Sequence, residues 1–491
     1  MKHIRRLSLL LALAMIFTAA CGEPVDTADT DNTGDTTVPV EATSADTEAQ
    51  LEVPDGLTSN YEVFSILAVA GTVSSLEELT DDMNVLQQAQ YERTAAVEER
   101  FGIDIRYVDV SGWKNFQGQA RQSISSGSDD YQLMFGCASQ QVNLINEGLY
   151  LPHDELPYVD INKPWWNKEY IESVSLHEDE LYLLFGDMTY NMLQRTCCVF
   201  FNINLLEEKL NMKPEDLYDL VYAGEWTIDK FTELVSAVYE DANGNTINDE
   251  DDIHGLTYLG QDPFNWMAFS SGLEYTTRDE NGYPHINVNT ETTIDMLDKL
   301  CALFFNNESV FKTSNADGTN RDFAKLFGEG KALFCVNRFF IADWEQVRVM
   351  TDDYGILPMP KYSEDIDGYH STVESLVQWC TVPVTVVDPV YVSAVAEAFA
   401  YESRQRTTPA YYETTLKLKN TRDDASIEMI DMIMSGRDTD YLYINPLNGL
   451  GNVFKTVFKA GQNNFASAYA AVEMAGTQAL ADLIEQYEEA N

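Results

Sequence analysis

The sequence predicts an α/β protein with two lobes, and three observations lead to that prediction. Residues 61–137 read as strand, helix, strand, helix and strand, an order that gives a parallel sheet with right-handed crossovers. A second strand-rich block, which contains "TCCVFFN" and "KALFCVN", indicates a second lobe of the same kind. The chain has 491 residues, which is too many for one ordinary core and suggests two or three domains or lobes.

The elements of the first block can be assigned in order. "YEVFSILAVA" is a buried strand, "IDIRYVDV" alternates like a strand, and "YQLMFGC" is a third strand. Between the first two, Asn84 and Gln87 form a capping box at a helix start, and Gly102 ends that helix. Ligands of such sheets sit beyond the carboxyl ends of the strands, so we expect "AGTVSS" and "GCASQ" near a site.

Helices dominate the later part of the chain. "TETTIDMLDKLCALFFN" places Ile294, Leu297, Cys301 and Phe304 on one helix face. Asp388 and Pro389 suit the cap and first turn of the next helix, and "ASIEMIDMIMSG" and the stretch 464–489 are also helical.

The N-terminus has the features of an export signal. Lys2, Arg5 and Arg6 precede an apolar run that is shorter than the roughly 20 residues a membrane span needs. The stretch before Cys21 resembles a bacterial lipobox, although Thr18 stands where Leu is usual. We therefore predict that 1–20 is a lipoprotein signal peptide and that Cys21 carries the lipid; a plain secreted protein is the alternative.

The segment after Cys21 predicts a tether. Residues 22–60 contain no Lys, no Arg and no aromatic side chain, so they cannot bury enough apolar surface to fold. We predict that 21–60 is a disordered acidic tether between anchor and body.

Composition excludes several partners. The formal net charge of −49 makes nucleic acid an improbable partner, because phosphate contacts need clustered Lys and Arg. It also favours a neutral ligand over an anionic one, although a local pocket can override the overall field. No other long apolar run exists, so we expect membrane attachment through the lipid anchor only. Six cysteines follow Cys21, and we interpret them as buried free thiols.

Several stretches, taken in order, resemble the extracellular solute-binding proteins of family 1, which serve ABC importers and mostly bind carbohydrates. They are "ELYLLFGD" with "CVFFNINLLEEKL", "PFNWMAFSSGLEYTTRDENGYPHINVNTE", "GKALFCVN" with "DYGILPMPK", and "RTTPAYYETTLKLKNTRDDASIEMIDMI". Together they cover most of residues 61–491.

The resemblance implies a periplasmic-binding-protein-like fold, with hinge crossings and a ligand cleft between the lobes. By analogy, lobe one spans 61–190 with 333–387, and lobe two spans 191–332 with 388–491. It further implies a monomeric receptor on the outer face of a bacterial cell membrane that hands a carbohydrate to an ABC permease. Such a receptor does no chemistry and requires no cofactor.

Sugar sites combine flat aromatic rings for the C–H faces with planar polar groups for the hydroxyls. Trp266 matches the family's aromatic segment, with Asn265 beside it, and core packing is the alternative. Asn337 and Arg338 follow a strand at the return crossing, where a surface ion pair is the alternative role for Arg338. The complete set of predicted ligand-binding residues is Trp266, Asn265, Asn337, Arg338, Asp187, Tyr369 and Trp379.

One loop has the spacing of a calcium site. "DANGNTINDEDD" places oxygen ligands at the positions of an EF-hand loop, namely Asp241, Asn243, Asn245, Ile247 through its carbonyl, Asp249 and Asp252. Thr246 stands where such loops have Gly, and the last position is Asp rather than Glu. A structural Ca²⁺ is the prediction, and an acidic solvated turn is the alternative.

Two other functions stay open. A secreted glycoside hydrolase needs a pair of carboxylates, which 80 acidic residues can supply. Against an enzyme, the sequence has no H-E-x-x-H, G-x-S-x-G or Walker motif. A cell-surface adhesion or scaffold protein could share the tether.

Overall fold

The computed structural model describes residues 49–70, 83–177, 180–313, 322–412 and 424–490. The signal peptide, Cys21, most of the tether and the greater part of "AGTVSS" lie outside these residues. Along the described residues, no helix combines the length and apolar character that crossing a membrane requires.

Fourteen strands occur in the described residues. They are β1 Val63–Val69, β2 Asp104–Val110, β3 Leu133–Cys137, β4 Cys197–Asn202, β5 Tyr239–Glu240, β6 Ile253–Tyr258, β7 Thr276–Arg278, β8 Pro284–Ile286, β9 Val310–Lys312, β10 Ala332–Arg338, β11 Tyr354–Leu357, β12 Ser371–Thr372, β13 Gln378–Thr381 and β14 Arg437–Asp438.

The α-helices of the described residues are numbered α1 to α18. They are α1 Val85–Phe101, α2 Trp113–Ser125, α3 Ala138–Asn146, α4 Lys168–Val174, α5 Asn191–Gln194, α6 Ile203–Leu210, α7 Pro214–Tyr222, α8 Ile228–Ser236, α9 Asp262–Phe269, α10 Glu291–Phe305, α11 Asp322–Gly328, α12 Glu345–Arg348, α13 Pro389–Gln405, α14 Thr407–Tyr411, α15 Asp424–Ser435, α16 Tyr441–Ile444, α17 Val453–Ala460 and α18 Phe465–Ala490.

The first sheet has the order β13-β3-β1-β2, with β1 parallel to both β2 and β3 and β13 antiparallel to β3. This confirms the predicted alternation over 61–137. The predicted helix start is confirmed as well: Asn84 and Gln87 exchange both capping bonds, and Gly102 takes the left-handed conformation at φ 67°.

The second sheet has the order β11-β4-β10-β6-β5, with β9 also paired to β6. Strands β6, β9 and β10 are parallel, whereas β4 is antiparallel to β10. A large apolar core, which includes Phe231, Leu256, Phe334 and Leu357, packs around this sheet. The two sheets are the two α/β lobes that the sequence predicts.

Strand pairing divides the chain differently from the predicted lobe bounds at two places. β10 and β11 belong to the second sheet, whereas the sequence analysis gave 333–387 to lobe one. Helix α13 packs against α1 beside the first sheet, whereas residues from 388 onward were predicted to belong to lobe two. The family analogy placed the return crossing at β10, but the chain returns only between β11 and β13.

The end of the predicted tether is part of the folded body. Val53 is buried in the first lobe's core, with Leu51 and Leu57 packed beside it. Lys163 pairs with Glu52 at 2.6 Å. These apolar residues give 49–60 enough contact to fold, so the prediction of disorder through residue 60 was wrong for this stretch.

Candidate functional site

The carboxyl ends of two parallel strands meet at one edge of the second sheet. β10 ends at Arg338, and parallel β6 is followed directly by α9, which begins at Asp262. Antiparallel β4 begins at the same edge, because Arg338 pairs with Cys197 in the register of the two strands. This is the edge at which open α/β sheets bind ligands.

The corresponding end of the first sheet faces the same region. β3 ends at Cys137, after which the amide N of Ala138 donates to Val377 O at 3.0 Å and that of Ser139 donates to Ser375 O at 3.3 Å. On the other side of this segment, Glu374 N donates to Arg195 O at 3.0 Å. Residues 373–377 therefore lie between the facing edges of the two sheets.

Two arginines and one glutamate form an ion cluster at this junction. One Glu374 oxygen, Oε2, accepts from Arg195 Nη1 at 2.6 Å and from Arg338 Nη1 at 2.8 Å. The side chains of Glu374, Arg195 and Arg338 are 7%, 15% and 13% exposed. We call these three residues the arginine cluster.

The electrostatics follow from this arrangement. Burial alone would raise the pKa of Glu374, but the two guanidinium groups outweigh burial and hold that pKa below its ordinary value. Burial likewise opposes the charge on Arg338, but Glu374 keeps the pKa of Arg338 above its ordinary value. Glu374 and Arg338 are therefore both charged at neutral pH.

Asp262 and Lys455 stand beside the cluster. Asp262 is exposed to solvent, yet surrounding protein and then the like charge of Glu374 raise the pKa of its carboxyl. Burial lowers the pKa of Lys455, and the nearby Asp262 opposes that shift.

Four of the predicted ligand residues lie on α9 and at the end of β10. Trp266 is 3% exposed, and the Arg338 guanidinium carbon lies 5.1 Å from its ring centre. Asn265 is buried, and its side-chain oxygen has no hydrogen-bond partner among the described residues. Asn337 Oδ1 accepts from the backbone N of Arg338 at 3.0 Å. Four predicted residues are thus brought together, although Arg338 covers the indole face that was expected to be open.

Two aromatic side chains complete the site. Phe340 is half-buried, and the guanidinium carbons of Arg195 and Arg338 lie 5.3 and 5.7 Å from its ring centre. Tyr443 Oη accepts from Ser375 N at 3.2 Å, and its ring packs against Phe269 with centroids 4.8 Å apart. Phe340 is therefore the accessible flat ring of the site.

Asp187 belongs to a different ionic group. Its carboxylate accepts from Arg404 Nη1 at 3.2 Å and from Thr408 Oγ1 at 3.0 Å, and it is 4% exposed. Burial raises the pKa of Asp187. These contacts join the first crossing to α13 and α14, so Asp187 holds these elements together and is not part of the arginine cluster.

Tyr369 also lies away from the arginine cluster. Its hydroxyl donates to Val221 O at 3.1 Å, and Lys361 Nζ lies 5.3 Å from its ring centre. The ring packs in the core of the second sheet, whereas the sequence placed it in lobe one.

Trp379 lines a separate cavity of about 140 Å³ between α3, the segments 174–177 and 180–183, and α18. Its indole N–H donates to Tyr170 Oη at 3.2 Å, and the side chain is 1% exposed. The indole N–H groups of Trp165 and Trp166 both donate to Glu397, at 3.0 and 2.8 Å.

The calcium loop is held by its own hydrogen bonds. Asp241 accepts from the backbone N of Asn245 and of Thr246, at 3.1 and 2.8 Å. Buried Asp252 accepts from Ala242 N and Asp249 N, both at 3.1 Å. Thr246 has φ 63°, the left-handed conformation that Gly supplies in EF-hand loops.

Within the described residues, no group of three or more His, Cys, Asp or Glu side chains lies close enough to hold a metal. The side-chain N–H groups of Asn243 and Asn245 donate to Asp249, at 3.2 and 2.7 Å. The loop thus has the oxygen ligands that calcium prefers but not their convergence, and calcium stays a prediction.

The six cysteines of the body are buried and free, as predicted. Five residues of the site were not predicted from the sequence, namely Glu374, Arg195, Asp262, Phe340 and Tyr443. Position relative to strand ends could have revealed Phe340 and Asp262, because each follows a strand of the second sheet. Glu374 and Arg195 have no such local signal.

Comparison with known proteins supports the fold. No protein-family model matches the chain, and no curated protein matches it in sequence. Among solved structures, a cyclo/maltodextrin-binding protein in complex with maltotetraose is similar at TM-score 0.55 and 12% identity, over 88% of this chain and 97% of that one.

Two further structures are similar over comparable lengths. The maltose/maltodextrin-binding domain MalE of Bdellovibrio bacteriovorus, bound to maltotriose, has TM-score 0.52 and 16% identity over 87% of this chain and all of that one (100%). UgpB of Mycobacterium tuberculosis, in complex with glycerophosphocholine, has TM-score 0.54 and 12% identity over 87% and 100%. The chain has the two-lobed, periplasmic-binding-protein-like α/β fold that the sequence predicts.

Proposed function

We propose that this chain is the substrate-binding protein of an ABC importer and holds a carbohydrate between its lobes without changing it. The observation that carries the proposal is the junction of the two sheets, where Phe340, Trp266, Asn265, Arg338 and Asp262 gather. This set supplies the flat ring of Phe340 for a sugar face, and amide, guanidinium and carboxylate groups for hydroxyls.

The fold comparison supports the same function. The similar solved structures are binding proteins whose bound molecules are maltotetraose, maltotriose and glycerophosphocholine. A binding protein of this kind delivers its ligand to a permease, and lipidation at Cys21 would keep it at the outer face of the cell membrane. Lipid anchoring, the permease and the monomeric state belong to the proposal.

Hydrolysis is the competing chemistry. Its two carboxylates would have to be Asp262 and Glu374, the acids of the site. Glu374 is buried, and both guanidinium groups bind the same one of its oxygens, so it is poorly placed to attack a sugar or to activate water. The geometry therefore favours binding without turnover.

The test is a titration of a broad sugar panel against intrinsic tryptophan fluorescence, with chromatography of the sugar from the same tube. We expect a saturable change and an unaltered sugar, and Phe340→Ala should weaken binding at least tenfold. A matched control is Phe311→Ala, which removes a ring on β9 away from the arginine cluster. Turnover would support the hydrolase, and no response across the panel would support a scaffold.

A further inference from the structure

The site has an excess of positive charge in a strongly acidic protein. The chain has 31 Lys and Arg against 80 Asp and Glu, yet among the described residues the site gathers Arg195, Arg338 and Lys455 with Glu374 and Asp262. With every group ionised, one positive charge is left without a counterpart.

The arginine cluster itself is incompletely paired. Both guanidinium groups bind the same oxygen of Glu374, although a carboxylate can accept a two-bond fork from one arginine alone. Arg195 Nε is buried and has no hydrogen-bond partner among the described residues. A buried N–H of a charged group without a partner costs more than a neutral one, so an acceptor that reached Arg195 Nε would be favoured.

The shape of the cluster suits an anionic planar group. The two guanidinium groups flank the half-buried ring of Phe340, which can contact the apolar face of a sugar. The planar guanidinium group of arginine can form two parallel hydrogen bonds to a carboxylate. The attraction between these two charges is screened less at a partly buried site than in open solvent.

We propose that the carbohydrate of this site carries a carboxylate, as in a uronic acid, and that Arg195 and Arg338 receive it. The inference rests on the proposed function and departs from the neutral ligand that the net charge favours. A single negative charge balances the excess, whereas a phosphate monoester carries up to two at neutral pH.

The test is calorimetry with matched pairs that differ only at C6: glucose and glucuronate, galactose and galacturonate, mannose and mannuronate, each as monomer and trisaccharide. We expect the tightest binder to be an acid, at least tenfold tighter than its neutral partner. This preference should shrink as KCl rises from 0.02 to 0.5 M, because the Debye length falls from about 20 to about 4 Å and the added salt screens the attraction.

Variants separate the inference from a structural role of the cluster. Arg195→Gln should bring the acid-to-neutral affinity ratio close to one while neutral binding persists. Arg106→Gln, which alters an exposed pair with Asp104 on β2, should leave the ratio unchanged. Arg195→Lys keeps the charge without the fork and should retain an intermediate ratio, and thermal melting shows that each variant is folded.

The outcomes are distinguishable. Neutral sugars binding as tightly as their acids would overturn this inference and leave the proposed function standing. A sugar phosphate is added to the panel as a further ligand. If it binds most tightly, the inference of a carboxylate is overturned in favour of a different anion. No binding by any member of the panel would count against both proposals.

Discussion

At the residue scale, Glu374 is the side chain on which the junction most depends. It is nearly buried and is the shared partner of two guanidinium groups, which connect the start of β4 with the end of β10. Removing one partner of a buried ion pair costs about 3–5 kcal/mol, because an uncompensated charge is left behind.

We therefore expect Glu374→Gln to lower the free energy of unfolding by about 3 kcal/mol in urea denaturation. Glu147→Gln is the matched control, since Glu147 pairs with Arg121 at 2.6 Å but is 43% exposed. Exposed pairs contribute at most about 1 kcal/mol. Equal effects of the two substitutions would contradict the account of the cluster.

Glu397 gives a second prediction at this scale, concerning pH. It is buried in the first lobe between the indoles of Trp165 and Trp166, and burial raises its pKa from 4.5 to about 7. The native state therefore holds this proton more tightly than the unfolded chain does. Its contribution to stability is fully present below pH 4.5 and is lost as pH rises through 7.

The measurement is urea unfolding of the natural chain and Glu397→Gln between pH 4.5 and 8. The variant loses one hydrogen bond from an indole, which changes its free energy of unfolding by the same amount at every pH. The informative quantity is therefore how the difference in free energy of unfolding between the two proteins changes with pH. We expect the stability of the variant relative to the natural chain to rise by about 3 kcal/mol over this range. A difference independent of pH would show that Glu397 titrates normally.

The same scale shows why some site residues could be predicted and others could not. Arg338 and Asn337 end a strand that is readable from "KALFCVN", so their place at a sheet edge follows from local pattern. Asp187 was misplaced because its partners, Arg404 and Thr408, are more than 200 positions away along the chain. Glu374 lies in a short connection before β13, where only tertiary structure brings both arginines to it.

At the element scale, the loop 241–252 carries its own prediction. A β-branched residue at φ 63° is strained, and Gly has no such cost. Thr246→Gly should therefore stabilise the protein by about 1 kcal/mol without calcium.

If calcium also binds here, chelator-treated protein should show a higher melting temperature after calcium is added, and more so for Thr246→Gly. Asp241→Asn should remove that shift, whereas Asp219→Asn, at an exposed position on α7, should keep it. Calorimetry without heat and an unmoved melting temperature would leave the loop as an acidic turn.

Elements were predictable where a local signal existed. The capping box at Asn84, the left-handed Gly102 and the cap at Asp388 were all read correctly, because each is set within four residues of sequence. The sheet to which β10 and β11 belong was not predicted correctly, because strand partners are determined by packing between segments that are distant in sequence.

At the scale of the whole molecule, the crossings run side by side at the junction. Thr196 bridges to Val373 and Leu184 to Cys380, so the outgoing and returning segments are paired, and Phe339 N donates to Thr196 O at 3.1 Å. Paired connections of this kind allow two lobes to move as units about a shared hinge. The site at the same junction would then be covered from both sides when the lobes close.

Native mass spectrometry of the chain, purified under gentle conditions from its own cells, tests the central claim most directly. We predict one carbohydrate per chain, released on denaturation with the same mass and structure after prolonged incubation with the protein. Binding without chemistry would be contradicted by a chain that never carries sugar, whatever glycan the cells are grown on. It would also be contradicted if the released sugar consisted of shortened fragments.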